Sequence, residues 1–211
     1  PTGVALITVQ SDGDNAIVVS PGVNSELSPE DVMAAPPILE AQVVLLQAEI
    51  PLETVLAAAR TARGKGIWNP APAPEETVPL ELLDLIDVLI PNQRELELLA
   101  GTGPSDSLEK IVEMVKTFPC SSTIVTLGAQ GAVVMASNEA VHIPAPEISP
   151  IDTTAAGDSF CAAIAGSLVD GKDLVEATQW AVQVGAATAL VAGAQPSLPT
   201  TKEVLQRLKN G

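Results

Sequence analysis

Apolar and polar residues change period along the chain, and the changes separate strands from helices. Residues 2–9 and 15–20 are β-rich runs joined by Gln10-Ser11-Asp12-Gly13-Asp14, whose Asp-Gly step predicts a hairpin turn. After the Pro21-Gly22 break, Ser28, Pro29, Glu30 and Asp31 read as N-cap, first-position proline and acidic first turn of a short helix. Residues 42–47 enclose a continuous apolar run, the pattern of a strand buried on both faces. A helix follows over 51–63 and closes at Gly64. Beyond it come a strand over 66–69, the loop Pro70-Ala71-Pro72-Ala73-Pro74, a helix over 79–85 and a strand over 87–90. Helices at 92–100 and 105–118 flank Gly101-Thr102-Gly103-Pro104. Residues 122–127 form a buried strand, and 131–136 with 140–143 a meander. Helices over 155–170, 173 to about 191, and 200–209 complete the chain; Asp173 with Glu176 and Thr200 with Glu203 have capping-box spacing.

Strand–helix alternation through the middle predicts an α/β fold, with a mostly parallel central sheet flanked by helices. The opening hairpin falls outside that rhythm. It is expected to project as a small β lid over residues 1–25, a substrate cover or dimer contact, beside an α/β core over 26–211.

Composition narrows the function classes. The 211 residues are 46% hydrophobic, enough for a sizeable core, and carry 26 acidic against 10 basic side chains, a formal charge of −16. Nucleic acid and anionic membrane need clustered Lys and Arg and are not expected as partners. A bound phosphate would have to rest on backbone amides and a few placed cations. Cys120 and Cys161 are too few for a disulfide framework and are expected to be buried thiols. The lone His142 reads as a surface strand residue and cannot build a metal cluster. The uncharged stretch over 177–201 contains Gln179, Gln183, Thr188 and Gln195 and two prolines, which favours a buried helix and loop over a membrane span. With no signal-peptide pattern at its start, the chain is expected to be cytoplasmic.

The sharpest chemical feature is Asp152-Thr153-Thr154-Ala155-Ala156-Gly157-Asp158, which runs directly into a helix. Small residues at 155–157 let a ligand approach the backbone, and free N–H groups at a helix start bind anions without a positive side chain. Asp158 would sit in the first turn, either as a proton acceptor for an attacking hydroxyl or as a helix-start acid satisfying the dipole.

Residues 152–165 match, position by position, a signature of the ribokinase family of sugar kinases (PfkB type), and the chain resembles that family along its length. Thr2-Gly3-Val4-Ala5-Leu6-Ile7 is similar to its lid strand, and Gln47-Ala48-Glu49 to a strand end with a sugar contact. Asn69-Pro70-Ala71-Pro72-Ala73 resembles a loop of the ribokinases. Asn92-Gln93-Arg94-Glu95 matches the Asn-x-x-Glu motif, and Thr126-Leu127-Gly128-Ala129-Gln130-Gly131 and Gly193-Ala194-Gln195-Pro196-Ser197 resemble its nucleotide and C-terminal loops.

The resemblance implies ATP-dependent phosphorylation of D-ribose at its 5-hydroxymethyl group. Asp158 would be the base, and the amides of Ala155, Ala156 and Gly157 would stabilise the transferring phosphoryl group. Asn92 and Glu95 would organise Mg²⁺ through water. Thr126, Leu127, Gly128, Ala129, Gln130 and Gly131 would line the nucleotide, with Gly157 and Asp158, and Glu49 would contact ribose. Asp152, Thr154, Thr188, Val191, Gly193 and Ser197 would bind K⁺. The family assembles as homodimers through the lid. One departure is Val182, at a position similar to an adenine-side Asn or His. Family members also begin with a segment carrying sugar-binding Asn/Asp and a Gly-Gly motif, so this sequence is expected to be the C-terminal two-thirds, missing its first strands and weakly active. Another sugar or nucleoside kinase of the family, or a non-catalytic nucleotide-binding module, are the alternatives.

Overall fold

The alternation along each central strand distributes its side chains to two helical layers. In a computed structural model of the chain, residues 1–9, 15–105 and 107–210 are described. Six strands form one sheet: β3 (Val43–Leu46), β4 (Lys65–Trp68), β5 (Val88–Leu89), β6 (Ser122–Thr126), β7 (Ala132–Ala136) and β8 (Glu139–Ile143). They lie side by side in chain order, parallel from β3 to β6 and antiparallel from β6 through β8. The α/β expectation and the meander are both met. Ser137 and Asn138 turn between β7 and β8 at positive φ (50° and 65°), the backbone such a tight hairpin requires.

Ile67, Val88, Ile90, Ile124 and Val134 point to one face of this sheet. There they meet α7 (Ala156–Val169) and α8 (Leu174–Ala189) through Phe160, Ile164, Ala177 and Ala181. Their neighbours Trp68 and Leu89 point to the other face, against α3 (Leu52–Thr61) and α4 (Leu80–Leu85). Val125 and Met135 meet α5 (Gln93–Leu99) and α6 (Leu108–Val115) on that side. Period-two burial on both faces is what the continuous apolar strands specify. The last helix, α9 (Thr201–Asn210), packs Val204 against α8.

Strand β3 departs from the expectation. It occupies the end of the sheet, and whereas Val44 and Leu46 are buried, Leu45 is 41% exposed. An apolar run reports affinity for a covered face, and it does not report whether a neighbour covers it. A second difference is α2 (Pro36–Glu40), a turn of helix opened by Pro36 and Pro37 that follows α1 (Pro29–Met33) and that the periodicity does not reveal. Helix α6 is shorter than expected, starting after its N-cap Ser107. Capping boxes form at Ser28/Asp31, Asn92/Glu95 and Asp173/Glu176.

The opening hairpin forms, with β1 (Val4–Val9) antiparallel to β2 (Asn15–Ser20) in the register Val4↔Ser20 to Val9↔Asn15. Its expected turn at 10–14 lies outside the described residues. Val4, Leu6, Val18 and Val19 are all exposed on this ribbon. Cys161 is buried as expected, Cys120 only half-buried, and both are free thiols. No helix among the described residues is long and apolar enough to cross a membrane.

Helix α5 carries two acids inward rather than to solvent. Glu97 is 3% exposed; its carboxylate accepts the Ser105 N–H at 2.7 Å and Gln93 Nε2 at 3.1 Å, tying the 101–107 loop to the helix. The Ser105 N–H is the main cause holding this carboxyl below its ordinary value. A group lowered in the folded state contributes stability that is present above its unfolded value, near 4.5, and is lost as pH falls through its folded one. Glu97→Gln is therefore expected to lower the urea midpoint at pH 7, with a deficit that shrinks progressively below about pH 4.5. An equal deficit at all pH values would show that packing alone is at stake. On β3, Leu46→Ala should cost about 2–5 kcal/mol and Leu45→Ala less than about 1 kcal/mol in the same assay.

Candidate active site

The parallel strands end on one edge of the sheet, where open α/β sheets bind ligands. Their terminal residues are stitched together there: Asn69 donates its backbone N–H to Leu46 O at 2.9 Å and its Nδ2 to Ile90 O at 2.7 Å. The Thr126 N–H reaches Pro91 O at 3.0 Å, and Asn92 bridges Thr126. Asn92 is the N-cap of α5. Its Oδ1 accepts the Glu95 N–H, while Glu95 returns Oε2 to the Asn92 N–H at 2.7 Å and Oε1 to Asn92 Nδ2 at 2.8 Å. Burial pushes the Glu95 carboxyl above its ordinary value, and the Asn92 N–H opposes that.

Helix α7 starts at the same edge. Its N-cap, Ala155, has φ +63° and ψ 5°, a left-handed conformation uncommon for a residue with a Cβ. The Ala156 N–H donates to Thr153 O at 3.2 Å; the N–H groups of Gly157 and Asp158 make no hydrogen bond among the described residues. These two unpaired amides and the exposed Asp158 carboxylate share the first turn. The thiol of Cys161, one turn on, is pushed up to about 12 by burial first, then by the charges of Asp158 and Glu95. Both carboxylates therefore act on one buried sulfur through their charge.

The residues preceding α7 are fastened to those following α8. Asp152 accepts the Thr154 N–H at 2.9 Å on Oδ1 and the Gly193 N–H at 2.8 Å on Oδ2. Hydrogen bonding from Thr154, then from Gly193, holds its carboxyl below the usual range. Ala189 O accepts the N–H groups of both Ile151 and Asp152. Thr188 is fully buried and donates to Ser159 Oγ at 2.8 Å, and the Val191 N–H returns to Thr188 O. Ser197, also buried, donates its hydroxyl to Ala194 O. Arg207 of α9 then ties this loop down, giving Nη1 to Ser197 O at 2.5 Å and to Ala187 O at 3.2 Å. The sequence reading missed Arg207: its only local signal is the i,i+4 spacing from Glu203.

A cavity of about 590 Å³ opens between these elements. Thr126, Gly128, Ala129 and Gly131 form one side, Ala156 and Gly157 another, and Val182, Gly185 and Ala186 of α8 a third. Gly128 and Gly131 both have positive φ, and a Cβ on Gly131 would fall 2.0 Å from Ile143 O, so only glycine fits there. Leu127 N–H closes this loop on Gly131 O, and Gln130 O bonds His142 Nε2 at 2.7 Å, which gives the exposed strand histidine a structural partner. Leu127, Gln130 and Asp158 do not line the cavity; Asp158 follows Gly157, which does. Glu49 is exposed just beyond β3, with its N–H held by the Gln47 side chain and the adjoining Ala48 N–H by Ala71 O.

No group of three or more His, Cys, Asp or Glu side chains able to hold a metal occurs among the described residues. A divalent ion would have to be carried by ligand phosphates and water, with Glu95 and Asn92 beside it, as suits a hard cation that keeps its hydration.

A family model described as "pfkB family carbohydrate kinase" matches residues 1–201. Ribokinase of Staphylococcus aureus is 37% identical over 212 residues, covering 97% of this chain and 69% of the relative. Deoxyribokinase of Salmonella typhi is 34% identical, covering 96% and 68%. Among solved structures, Arabidopsis thaliana ribokinase, complexed with ribose and ATP, superposes with a TM-score of 0.86 at 33% identity over 99% of this chain and 70% of that one. A signature helix start, a phosphate-sized set of open amides and a match along nearly the whole chain lead to one conclusion: the chain belongs to the pfkB family of carbohydrate kinases, ATP-dependent sugar phosphotransferases.

Proposed function

We propose that the chain transfers the γ-phosphoryl group of ATP to the 5-hydroxymethyl group of D-ribose. The observation that carries this reading is the first turn of α7, where the unpaired Gly157 and Asp158 amides share a turn with the exposed Asp158 carboxylate, next in sequence to the cavity-lining Gly157. Asp158 accepts the hydroxyl proton as the phosphoryl group departs. In a loose transition state that proton leaves late, so an ordinary exposed carboxylate is basic enough. The open amides, with Ala155 and Ala156 shaping the backbone around them, receive the charge that gathers on the equatorial oxygens.

Thr126, Gly128, Ala129 and Gly131 lie along the nucleotide, and Leu127 and Gln130 hold that loop in shape. Mg²⁺ bound to the phosphates supplies charge neutralisation there; Asn92 and Glu95 hold its water shell. Asp152, Thr154, Thr188, Val191, Gly193 and Ser197 would hold K⁺, whose charge would steady the segment that the Thr154 and Gly193 N–H bonds to Asp152 fix ahead of α7. Glu49, exposed at the end of β3, contacts the sugar hydroxyls. The exposed Val4, Leu6, Val18 and Val19 of the β1–β2 ribbon fit a cover over the sugar and a homodimer contact. A second reading, phosphorylation of deoxyribose, is favoured by the 34% identity to a deoxyribokinase.

Asp158→Asn keeps the helix start but removes the base. Sugar-dependent ADP release is expected to fall about 10²–10⁴-fold, with nucleotide affinity by calorimetry changed less than about threefold. Parallel loss of turnover and nucleotide binding would assign Asp158 to structure instead. Running ribose and deoxyribose side by side in the same assay separates the two substrate readings.

A further inference from the structure

Resting on the kinase reading, we infer that His142 is a positioning residue for the nucleotide: its imidazole holds the main chain of the 127–131 loop where that loop lines the cavity. The inference comes from how the loop's own hydrogen bonds are distributed and from the side chain that reaches it from β8.

The loop joins β6 to β7, and most of its amides are spent within it. The N–H groups of Leu127, Gln130 and Gly131 go to Gly131 O at 2.8 Å, Leu127 O at 3.1 Å and Gly128 O at 3.0 Å. Gly128 and Ala129 remain: their N–H groups make no hydrogen bond among the described residues, and both residues line the cavity. These two amides are what the loop can offer a bound nucleotide, since an amide without a protein partner needs water or a ligand. Bonds inside a loop keep its shape and leave its direction free. Direction has to come from a neighbour.

Strand β8 is that neighbour. His142 stands opposite Val133 in the β7–β8 ladder, and its ring turns back to place Nε2 2.7 Å from Gln130 O. No other donor among the described residues reaches that oxygen. A carbonyl only accepts, so Nε2 carries the proton and Nδ1 is the free acceptor of the neutral ring. The acceptor is main chain, so the bond fixes the loop itself whatever the Gln130 side chain does. His142 is exposed and its ring makes no other hydrogen bond among the described residues, so it adds little to the core. A loop already held in place does not have to be ordered when the nucleotide arrives, and binding is tighter by that amount.

Calorimetric titration with ADP tests this without turnover, on the wild type, on His142→Leu, which lacks a donor, and on His142→Gln, whose Nε2 can still donate. His142→Leu is expected to bind ADP at least about threefold more weakly, within the worth of one neutral hydrogen bond, and His142→Gln within about twofold of the wild type. A smaller loss for the leucine variant, or an equal loss in both, overturns the inference. Urea midpoints of the three proteins are expected to coincide, because the side chain is exposed. A loss of affinity that follows the midpoint overturns the positioning role and leaves His142 a purely structural one. His142 is the only histidine in the sequence, so its imidazole gives a single set of ¹⁵N signals in the untagged protein. Those signals are expected to show the Nε2–H tautomer and to shift on saturation with ADP; the Nδ1–H tautomer, or signals that ADP leaves unmoved, overturn the inference. A wild type that binds no ADP overturns the kinase reading instead, a distinct result, and the tautomer still reports on the bond.

Discussion

The carboxylate of Asp152 is the joint on which the candidate site depends. Two backbone amides 39 residues apart in sequence, Thr154 and Gly193, converge on its two oxygens and so join the entry of α7 to the exit of α8. The bond from Gly193 fixes where the C-terminal loop lies; the bond from Thr154 fixes the turn that aims the first amides of α7. Because both donors are backbone groups, the Asp152 side chain is all that stands between the two main-chain segments it joins. The Thr154 side chain first, then the Gly193 and Thr154 amides, stabilise the charged form and hold this carboxyl below its ordinary value. Arg207 performs the complementary task from below, neutralising the carbonyls of Ser197 and Ala187 that the same loop turns inward.

A protein of net charge −16 that handles a triphosphate must solve a repulsion problem, and the geometry shows the solution. No Lys or Arg lines the cavity among the described residues; the positive potential comes from the α7 amides and the helix end they belong to. Such a site cannot titrate, and it acts over a few ångströms, within the distance at which solvent screens the remaining acids. Acidic groups close to it are handled individually. Glu95 is buried and bonded to its own N-cap, whose N–H opposes the upward push of burial on its carboxyl. Asp158 stays exposed.

How far the sequence discloses this depends on the range of the interaction. Elements whose cause is local are legible: the Ser28 and Asp173 caps, the two strands of the opening hairpin and the strand–helix alternation appear where the residue pattern places them. The grouping of Asn92, Glu95, Thr126 and the 155–158 turn at one sheet edge follows from parallel strands, and the resemblance to a known family identified the same residues. Features created by distant neighbours are not legible. Leu45 is apolar but half-open because β3 ends the sheet, and Glu97 looks like a solvent-facing acid until the 101–107 loop folds back to give it donors. Nothing near Arg207 announces that its guanidinium will meet Ser197. Helix α2 is short enough that two prolines are its whole signal.

Ala155 shows how the long-range terms act on the chemistry. A left-handed alanine costs of order 1–2 kcal/mol relative to the right-handed form, and glycine would relieve most of it. Glycine would also enlarge the conformational freedom of the unfolded segment, and it would leave the turn able to point its amides elsewhere. Alanine keeps a restricted backbone that only the surroundings can push to φ +63°. Those surroundings are hydrogen bonds: Ser159 N–H returns to Ala155 O, Ser159 Oγ donates to Ala156 O, and the fully buried Thr188 donates to that same Ser159 oxygen. The hydroxyls link the α7–α8 interface to Ala156, next to the strained residue, so packing between two helices helps to fix the turn that carries the open amides. Strain at this position is then the local cost of an anion site whose geometry is imposed by the core and needs no ligand to form it.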